Sequence, residues 1–283
     1  MLKITAEELQ IISQYIHEIS GIYLDQSKSY LFETRLSSIA EELGCTSYRE
    51  LYNKAKIDPA KKIERQIIDA ISTNETLFFR DSGPFELLRH KILPEIIDLR
   101  TPHSPRLKTN IKIWSAASST GQELYSVAMT IRELIGTQLD NFTFKLLGTD
   151  ISDGAITQAS YGKYNKFEIE RGLARQTLQK HFTLFGDSWK VKDELRSMVN
   201  FRKLNLMLPF AGLGKFDIIL CRNVAIYFTL DDRKKLFNKI ADNLTDDGYL
   251  IIGSTESLTG ICPRFVPKRH LRSIFYQKKI EVL

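Results

Sequence analysis

The stretch IKIWSAASSTG, residues 111–121, decides the fold that this sequence predicts. It opens with a short apolar run, continues through small residues to Gly121, and leads into a helical run rich in Leu, Val, Ala and Met. Small residues let a backbone approach a ligand closely, and a helix N-terminus favours negative charge. The stretch therefore predicts a strand, a nucleotide-binding loop and a helix. An ordinary tight strand–helix turn would share this pattern.

Strand and helix patterns alternate through the rest of this region. Helical runs lie near Glu123–Leu134, Asp153–Ala159 and Asp231–Leu244. Such alternation is typical of an α/β fold with a parallel sheet covered on both faces. The predicted strands are Ile111–Trp114, Phe142–Leu147, Val199–Phe201, Phe216–Cys221, Tyr249–Ile252 and Ser273–Tyr276.

The first 72 residues have helical periodicity instead. Thr5 and Glu8 form a capping-box pattern before a helix that Gly21 would end. Further helices are predicted over 26–43, near 48–56, and from Asp58-Pro59 to Ile71. We expect an all-helical domain over 1–72. A linker over 73–104 follows, with a helix near Phe85–Arg100 and, at its end, a Pro/His/Ser/Pro run at 102–105. An α/β domain is expected over 105–283. Short strands over 182–201 suggest a small β-subdomain inserted at about 180–200.

Polar residues follow several predicted strands, where an α/β sheet binds its ligands. Asp150 ends the second strand and is placed to accept hydrogen bonds from ribose hydroxyls, or to cap the next helix. Asn205 and Leu206 follow the third strand and would suit an adenine ring, although Asn205 is equally typical of a turn. Arg222 and Asn223 end the fourth strand. These positions predict a nucleotide site around the loop that ends at Gly121.

Composition narrows the class of protein. The net charge is +6, with −3 over residues 1–100 and +9 over residues 101–283, so the second half could meet nucleic acid or an acidic protein, or simply have a solvated basic surface. The apolar runs are too short for a membrane span, and the first ten residues lack an export signal. Three separated cysteines and five scattered histidines predict a reducing, cytoplasmic location and no metal site.

Two further motifs carry a family resemblance: NETLFFRD at residues 74–81 and CRNVAIYF at residues 221–228. With residues 114–126, Asp150 and the run GSTESL at 253–258, they resemble the CheR family of chemotaxis receptor methyltransferases over nearly the whole chain. The resemblance implies a Rossmann-like parallel sheet with a C-terminal antiparallel strand. It also implies methyl transfer from S-adenosylmethionine (SAM) to glutamate side chains in the cytoplasmic helical region of chemoreceptors, with S-adenosylhomocysteine as the product.

The same resemblance assigns roles to individual residues. Tyr227 would lie near the transferring methyl group, and our hypothesis is that Arg80 and Tyr227 orient the incoming carboxylate as the catalytic pair. The cofactor-binding set would be Asn74, Thr76, Arg80, Gly121, Glu123, Asp150, Asn205, Leu206, Arg222 and Asn223. The first three of these would form a lid over the cofactor. Read alone, Arg80 would pair with Asp81 or Glu75 on the surface.

The sequence departs from the family pattern at Gln122, Leu124 and Ser254, of which Gln122 replaces an acid and makes a binding role there doubtful. The hairpin run at 184–189 is short, so we expect weak or absent binding of a receptor tail peptide. We expect a monomer that binds no nucleic acid. The alternatives are a SAM-dependent methyltransferase for RNA or a small molecule, and an inactive SAM-binding signalling module. The lack of a Gly-x-Gly-x-x-Gly loop disfavours an NAD-linked oxidoreductase.

Overall fold

The computed structural model describes residues 2–25, 28–102 and 107–279. The predicted boundary at 104/105, most of the Pro/His/Ser linker and the predicted start of the second helix at Gln26 lie outside those residues. No helix among the described residues is both long and apolar enough to cross a bilayer.

The N-terminal region forms the predicted helical domain, whose core contains Ile12, Phe32, Leu36, Tyr48 and Ile67. The capping box at Thr5 and the left-handed Gly21 bound the first helix, as the sequence predicted. The four helices are α1 (Ala6–Ser20), α2 (Ser29–Glu42), α3 (Tyr48–Ile57) and α4 (Lys62–Ile71).

The predicted start of α4 at Asp58-Pro59 was wrong. The Asp58 carboxylate accepts hydrogen bonds from the backbone N–H groups of Ala60 and Ile63, at 3.0 and 2.9 Å. Such a local bond stabilises a turn in place of a first helical turn. Lys61 then adopts a left-handed conformation with φ 51°, and the helix begins at Lys62.

The linker helix consists of three consecutive segments, α5 (Gly83–Leu87), a π-helical turn (Leu88–Ile92) and α6 (Leu93–Arg100). Its apolar side packs into the core of the α/β domain, where Leu88, Ile92 and Ile96 are fully buried. The linker therefore belongs structurally to the second domain.

The α/β domain contains a seven-stranded sheet in the order β6-β2-β1-β7-β8-β10-β9. The first five strands are parallel, and β10 pairs antiparallel with both β8 and β9. The strands are β1 (Thr109–Ala116), β2 (Phe142–Asp150), β6 (Val199–Lys203), β7 (Phe216–Cys221), β8 (Leu244–Ile252), β9 (Phe265–His270) and β10 (Ser273–Lys278). The parallel sheet and the C-terminal antiparallel strand are confirmed, and β9 adds a further edge strand outside β10.

Helices cover the sheet and connect its strands. On one face lies a core around Ile113, Tyr125 and Ile218, and on the other a core around Trp114, Phe237 and Leu250. The helices are α7 (Gln122–Ile135), α8 (Asp153–Tyr161), α9 (Lys166–Glu170), α10 (Arg175–His181), α11 (Asp193–Arg196) and α12 (Leu230–Asn243).

A small antiparallel sheet with the order β3-β5-β4 is inserted between α8 and α11. Its strands are β3 (Lys163–Asn165), β4 (Phe182–Phe185) and β5 (Ser188–Val191). The insertion therefore begins before the predicted residue 180. Its predicted end was also wrong, because Val199–Lys203 pairs in parallel with β2 as an edge of the main sheet.

Candidate functional site

The site lies where the order of the parallel strands reverses. Strand β1 has β2 on one side and β7 on the other, so the connections after β1 and β7 diverge and leave a crevice at the carboxyl edge of the sheet. Crevices at such a reversal are the usual ligand sites of open α/β sheets. The loop at 117–121, which the sequence singled out, forms one wall of this crevice.

A cavity of about 890 Å³, counted out to its mouth, fills the crevice. The helical domain contributes Ser20 and Ile22 to its walls. The structure brings together at this cavity most of the residues proposed from the sequence: Asn74, Thr76, Arg80, Glu123, Asp150, Leu206, Arg222, Asn223 and Tyr227.

Residues 73–81, here called the lid segment, close one side of the cavity. The carbonyl of Asn74 accepts a hydrogen bond from Ser119 Oγ at 2.9 Å, and the N–H of Phe79 donates to Ser126 Oγ at 3.0 Å. Phe78 is fully buried and packs edge-on against Tyr164. These contacts attach the lid segment to the loop at 117–121 and to α7. The attachment holds the polar groups of the lid segment over the cavity.

Arg222 links three parts of the site. Its Nη1 donates to Glu123 Oε2 at 2.8 Å, while Nη2 donates to the Arg80 carbonyl at 2.8 Å and to Asp81 Oδ2 at 3.1 Å. The Arg222 side chain is only 2% exposed. Ser115 Oγ donates to the other oxygen of Glu123 at 2.7 Å. The Glu123 carboxylate is therefore fixed in the cavity wall, between β1 and β7.

Arg80 does not form the surface ion pair considered from its sequence context. Its Nη1 donates to the backbone carbonyl of Glu75 at 3.1 Å. The Glu75 carboxylate accepts instead from Arg171, and Asp81 pairs with Arg222. A guanidinium has five N–H donors, so the contact with Glu75 leaves Arg80 with capacity for an anionic group in the cavity.

Asp150 lies at the end of β2 with its carboxylate bound by two backbone groups. Oδ2 accepts from Ser119 N–H at 2.8 Å, and Oδ1 accepts from Ser152 N–H at 3.0 Å. Burial raises the pKa of Asp150 above its ordinary value, although these hydrogen bonds oppose the rise. The cap of α8 is Ser152, whose Oγ accepts from Ala155 N–H at 3.0 Å. The capping role considered for Asp150 therefore belongs to Ser152.

Two residues of the sequence-based set do not line this cavity. Asn205 Nδ2 donates to the Ile19 carbonyl at 2.8 Å, and Asn205 Oδ1 accepts from Met207 N–H at 2.8 Å. Its amide therefore joins α1 to the α/β domain. Gly121 has φ +95°, and a Cβ there would lie 2.9 Å from Ala159 Cβ. Close packing of the loop against α8 accounts for this glycine without a ligand contact.

Glu256 is a site residue to which the sequence reasoning gave no role. Its Oε2 accepts from the N–H groups of Asn223 and Gly253, both at 2.8 Å. It thereby ties the carboxyl end of β7 to that of β8 and fixes Asn223, whose φ is +56°. The motif at 253–258 marked this region in the sequence. A hydrogen bond between residues 33 positions apart leaves no periodic pattern, so the role of Glu256 could not be predicted.

The donor set suits an adenosine cofactor that has a positively charged amino acid tail. Asp150 and Glu123 provide carboxylate oxygens that accept from hydroxyl and amine groups. Among the described residues Ser118 Oγ is buried without a hydrogen-bond partner, and Ser118 lines the cavity. Apolar side chains, which suit a flat aromatic ring, also line the cavity, among them Ile151, Leu204, Leu206, Val224 and Phe228.

Comparison with known proteins agrees with this geometry. Residues 74–269 match the CheR methyltransferase SAM-binding domain, and residues 7–72 match the CheR methyltransferase all-alpha domain. The chain belongs to the CheR methyltransferase family. Its cofactor is SAM, and it is a SAM-dependent methyltransferase.

Curated relatives in the CheR family align over almost their whole length. Chemotaxis protein methyltransferase 1 of Vibrio cholerae is 39% identical over 280 residues, which cover 98% of this chain and 99% of the relative. A chemotaxis protein methyltransferase of Pseudomonas putida is 38% identical over 268 residues, covering 94% and 95%. One from Borreliella burgdorferi is 38% identical over 265 residues, covering 92% and 91%.

Proposed function

We propose that the chain methylates glutamate side-chain carboxylates on chemoreceptors, giving glutamate methyl esters and S-adenosylhomocysteine. The observation that carries this proposal is the pairing of a SAM-type cavity with relatives that are named chemotaxis protein methyltransferases over nearly the full chain. Such a substrate would place the chain's activity in the cytoplasm, beside the helical region of the receptor.

The chemistry requires no strong base from the protein. A glutamate side chain has an ordinary pKa near 4.3, so it is already ionised at neutral pH. SAM supplies an electrophilic methyl group when it is bound. The chain's own residues must then align the carboxylate and exclude water from it, and alignment of this kind is worth roughly 7–11 kcal/mol in favourable cases.

Cofactor contacts follow from the walls of the cavity. Asp150 would accept from the ribose hydroxyls and Glu123 from the amino group of the methionine part. Leu206 would contact the adenine. Arg222 would position both the cofactor-binding Glu123 and the lid segment, because it donates hydrogen bonds to the Glu123 carboxylate and to the Arg80 carbonyl.

Arg80 and Tyr227 would orient the incoming carboxylate. Both line the cavity, Arg80 from the lid segment and Tyr227 from a 3₁₀ turn after β7. An arginine that bound the carboxylate too tightly would weaken it as a nucleophile. The hydrogen bond from Arg80 to the Glu75 carbonyl moderates its contact with substrate, because it holds part of the guanidinium away.

The short turn in the inserted sheet favours the expectation that a receptor tail peptide binds weakly or not at all. A two-residue turn at Gly186-Asp187 joins β4 to β5, where Phe185 pairs with Ser188. A turn this short provides little surface for a peptide. We further propose that the protein acts as a monomer. Calorimetry that detected micromolar binding of a receptor tail peptide would contradict the first statement, and light scattering tests the second.

The experiment that tests the function is transfer of radiolabelled methyl from SAM to purified cytoplasmic fragments of a receptor. Label that is released by mild base, as expected of a carboxyl methyl ester, would support the proposal. Label on added RNA, or none on protein, would refute it. Arg80→Ala and Tyr227→Phe should each lower kcat by at least tenfold, and near-normal turnover in both with unchanged SAM affinity would refute their roles.

A further inference from the structure

The turn of the β9–β10 hairpin carries a cluster of cations that the proposed chemistry does not use. Lys268, Arg269 and Arg272 are exposed, and His270 lies between them. Within residues 2–25, 28–102 and 107–279, none of the three exposed cations takes part in an ion pair. Arg269 Nε donates to the backbone carbonyl of Leu271 at 3.0 Å. The hairpin therefore presents about three positive charges that the described residues leave uncompensated.

The same turn exposes apolar side chains. Leu271 is 77% exposed and Ile274 is 55% exposed. Leu271 is the first of the two turn residues and has φ +52°. Glycine, asparagine and aspartate are favoured at this position of a two-residue hairpin turn, because they tolerate left-handed backbone better than leucine does. The turn therefore presents a large apolar side chain, at a position that does not favour leucine, next to the exposed cations.

The sheet topology places this turn beside the cavity. Because β10 runs antiparallel to β8, the turn before β10 lies at the carboxyl edge of the parallel strands, as the cavity does. With strands about 4.8 Å apart, β10 lies about 10 Å and β9 about 14 Å from β7. A Cβ on Gly83, two residues after the lid segment, would lie 2.8 Å from Ser273 Oγ.

An acid close to the turn, Glu95 on α6, is already engaged. Burial would raise the pKa of the Glu95 carboxyl, but hydrogen bonds from Lys91 and Tyr249 lower it, with a smaller contribution from nearby His270. That carboxylate accepts hydrogen bonds from Lys91 and from Tyr249 Oη. Glu95 is therefore not available to neutralise the exposed cations of the turn.

We propose that the β9–β10 turn, residues 268–274, docks an acidic helical surface of the methylated substrate. This inference rests on the proposed function, in which the substrate is a helical protein that carries several glutamates. A rise of 1.5 Å per residue converts the roughly 10–14 Å between β7, beside the cavity, and the hairpin strands into about seven to nine helical residues. The docking acids then lie two to three turns along the substrate helix from the glutamate in the cavity.

The test compares two triple charge reversals in the full chain. The first, Lys268→Glu/Arg269→Glu/Arg272→Glu, alters the hairpin. The control, Lys108→Glu/Lys112→Glu/Lys145→Glu, makes the same change in net charge at exposed positions just before β1, in β1 and in β2. The hairpin variant should raise the KM for a receptor cytoplasmic fragment about tenfold, with kcat and S-adenosylhomocysteine affinity unchanged. The increase should shrink at high salt, because salt screens exposed charges.

Two further variants guard against a purely structural effect. Leu271→Gly relieves the left-handed strain, so it should keep or raise the melting temperature while raising the KM about threefold. A receptor fragment with lysines in place of acids seven and eight residues from the methylated glutamate should restore a low KM with the hairpin triple. A structural defect in the hairpin would not respond to that charge exchange.

The outcomes separate this inference from the proposed function. If the wild-type chain does not methylate the fragment, the proposed function fails and the docking proposal fails with it. If the wild type methylates it and the hairpin triple has the KM of the control triple, only the docking proposal is overturned. It is also overturned if the hairpin triple loses binding to phosphatidylglycerol vesicles while its KM for the soluble fragment stays normal, because the hairpin would then bind lipid.

Discussion

Replacement of Arg222 by methionine should weaken both the fold and the binding of SAM. Methionine keeps much of the apolar stem but removes the guanidinium that bridges Glu123, Asp81 and the Arg80 carbonyl. The Glu123 side chain is 12% exposed, so its carboxylate would remain largely buried without a cation. The Asp81 side chain is 39% exposed, and water would replace much of its lost contact.

These exposures set the expected magnitude. Breaking a buried ion pair by removing one partner costs about 3–5 kcal/mol, and an exposed pair is worth roughly 0.2–1 kcal/mol. We therefore expect Arg222→Met to lower the free energy of unfolding by about 3–4 kcal/mol. Affinity for S-adenosylhomocysteine should fall at least tenfold, because the lid segment loses its attachment to β7.

Arg100 provides a matched control. Its Nε donates to the buried Asp217 at 2.8 Å, and its guanidinium also pairs with Asp247, at the other end of the sheet from the cavity. Arg100→Met should lower stability to a similar degree and leave cofactor affinity unchanged. Both tryptophans, Trp114 and Trp189, lie in the α/β domain, so fluorescence during urea unfolding reports on that domain.

Calorimetric titration with S-adenosylhomocysteine measures the second effect. Adding Glu123→Gln to Arg222→Met should recover about 1 kcal/mol of stability or more, since the uncompensated charge is gone, without restoring binding. Wild-type stability and affinity in Arg222→Met would refute this account. Equal loss of affinity in the Arg100 variant would show that binding follows global stability and that the bridge has no special part in it.

Three smaller changes test other contacts. Gly121→Ala should cost about 1–3 kcal/mol in urea unfolding, more than Gly136→Ala, because both glycines have positive φ but only Gly121 has close neighbours. Glu256→Ala leaves two N–H groups without an acceptor and should lower the melting temperature by several degrees, measured by calorimetry. Asp232 is subject to burial, which would raise its pKa, but hydrogen bonds from Thr229 and His17 outweigh it and lower the pKa. Its stabilisation is therefore present above pH 4 and lost as pH falls further, so Asp232→Asn should show a flatter loss of melting temperature between pH 5 and pH 3. Equal costs for the two glycine variants, an unchanged melting temperature for Glu256→Ala, or a parallel pH profile for Asp232→Asn would contradict these expectations.

The sequence predicted those parts of the fold whose signals are local. The apolar runs of the buried strands, such as 216–221, and the capping box at Thr5 each depend on neighbouring residues only. Strand β9 was missed because Phe265–His270 contains Pro267 and three basic residues. Polar, proline-containing strands are tolerated at the edge of a sheet, where their outer side meets water.

The candidate site was predictable where a residue follows a strand directly. Asp150 ends a buried strand, Arg222 and Asn223 directly follow another, and the topology brings these strand ends together at one edge. Asn205 satisfied the same rule, but its amide lies against α1, because packing of the helical domain covers that position. A contact between residues 186 positions apart depends on how two domains meet, and no periodicity encodes it.

The site is also where the backbone is most strained. The described residues other than glycine that have positive φ include five at the cavity walls or beside them: Phe79, Asp81, Ala117, Ser119 and Asn223. Each left-handed residue costs about 1 kcal/mol or more, so the conformation persists only where other contacts fix it. The bond from Ser119 N–H to Asp150, the bond from Asn223 N–H to Glu256 and the pair between Asp81 and Arg222 provide that fixation. Asp150 and Arg222 also line the cavity, so the charged groups proposed to hold the cofactor also hold the strained loops in place. A change at either residue should therefore disturb the loop geometry and the binding of SAM together, whereas a change at Glu256 should reach the cofactor only through Asn223.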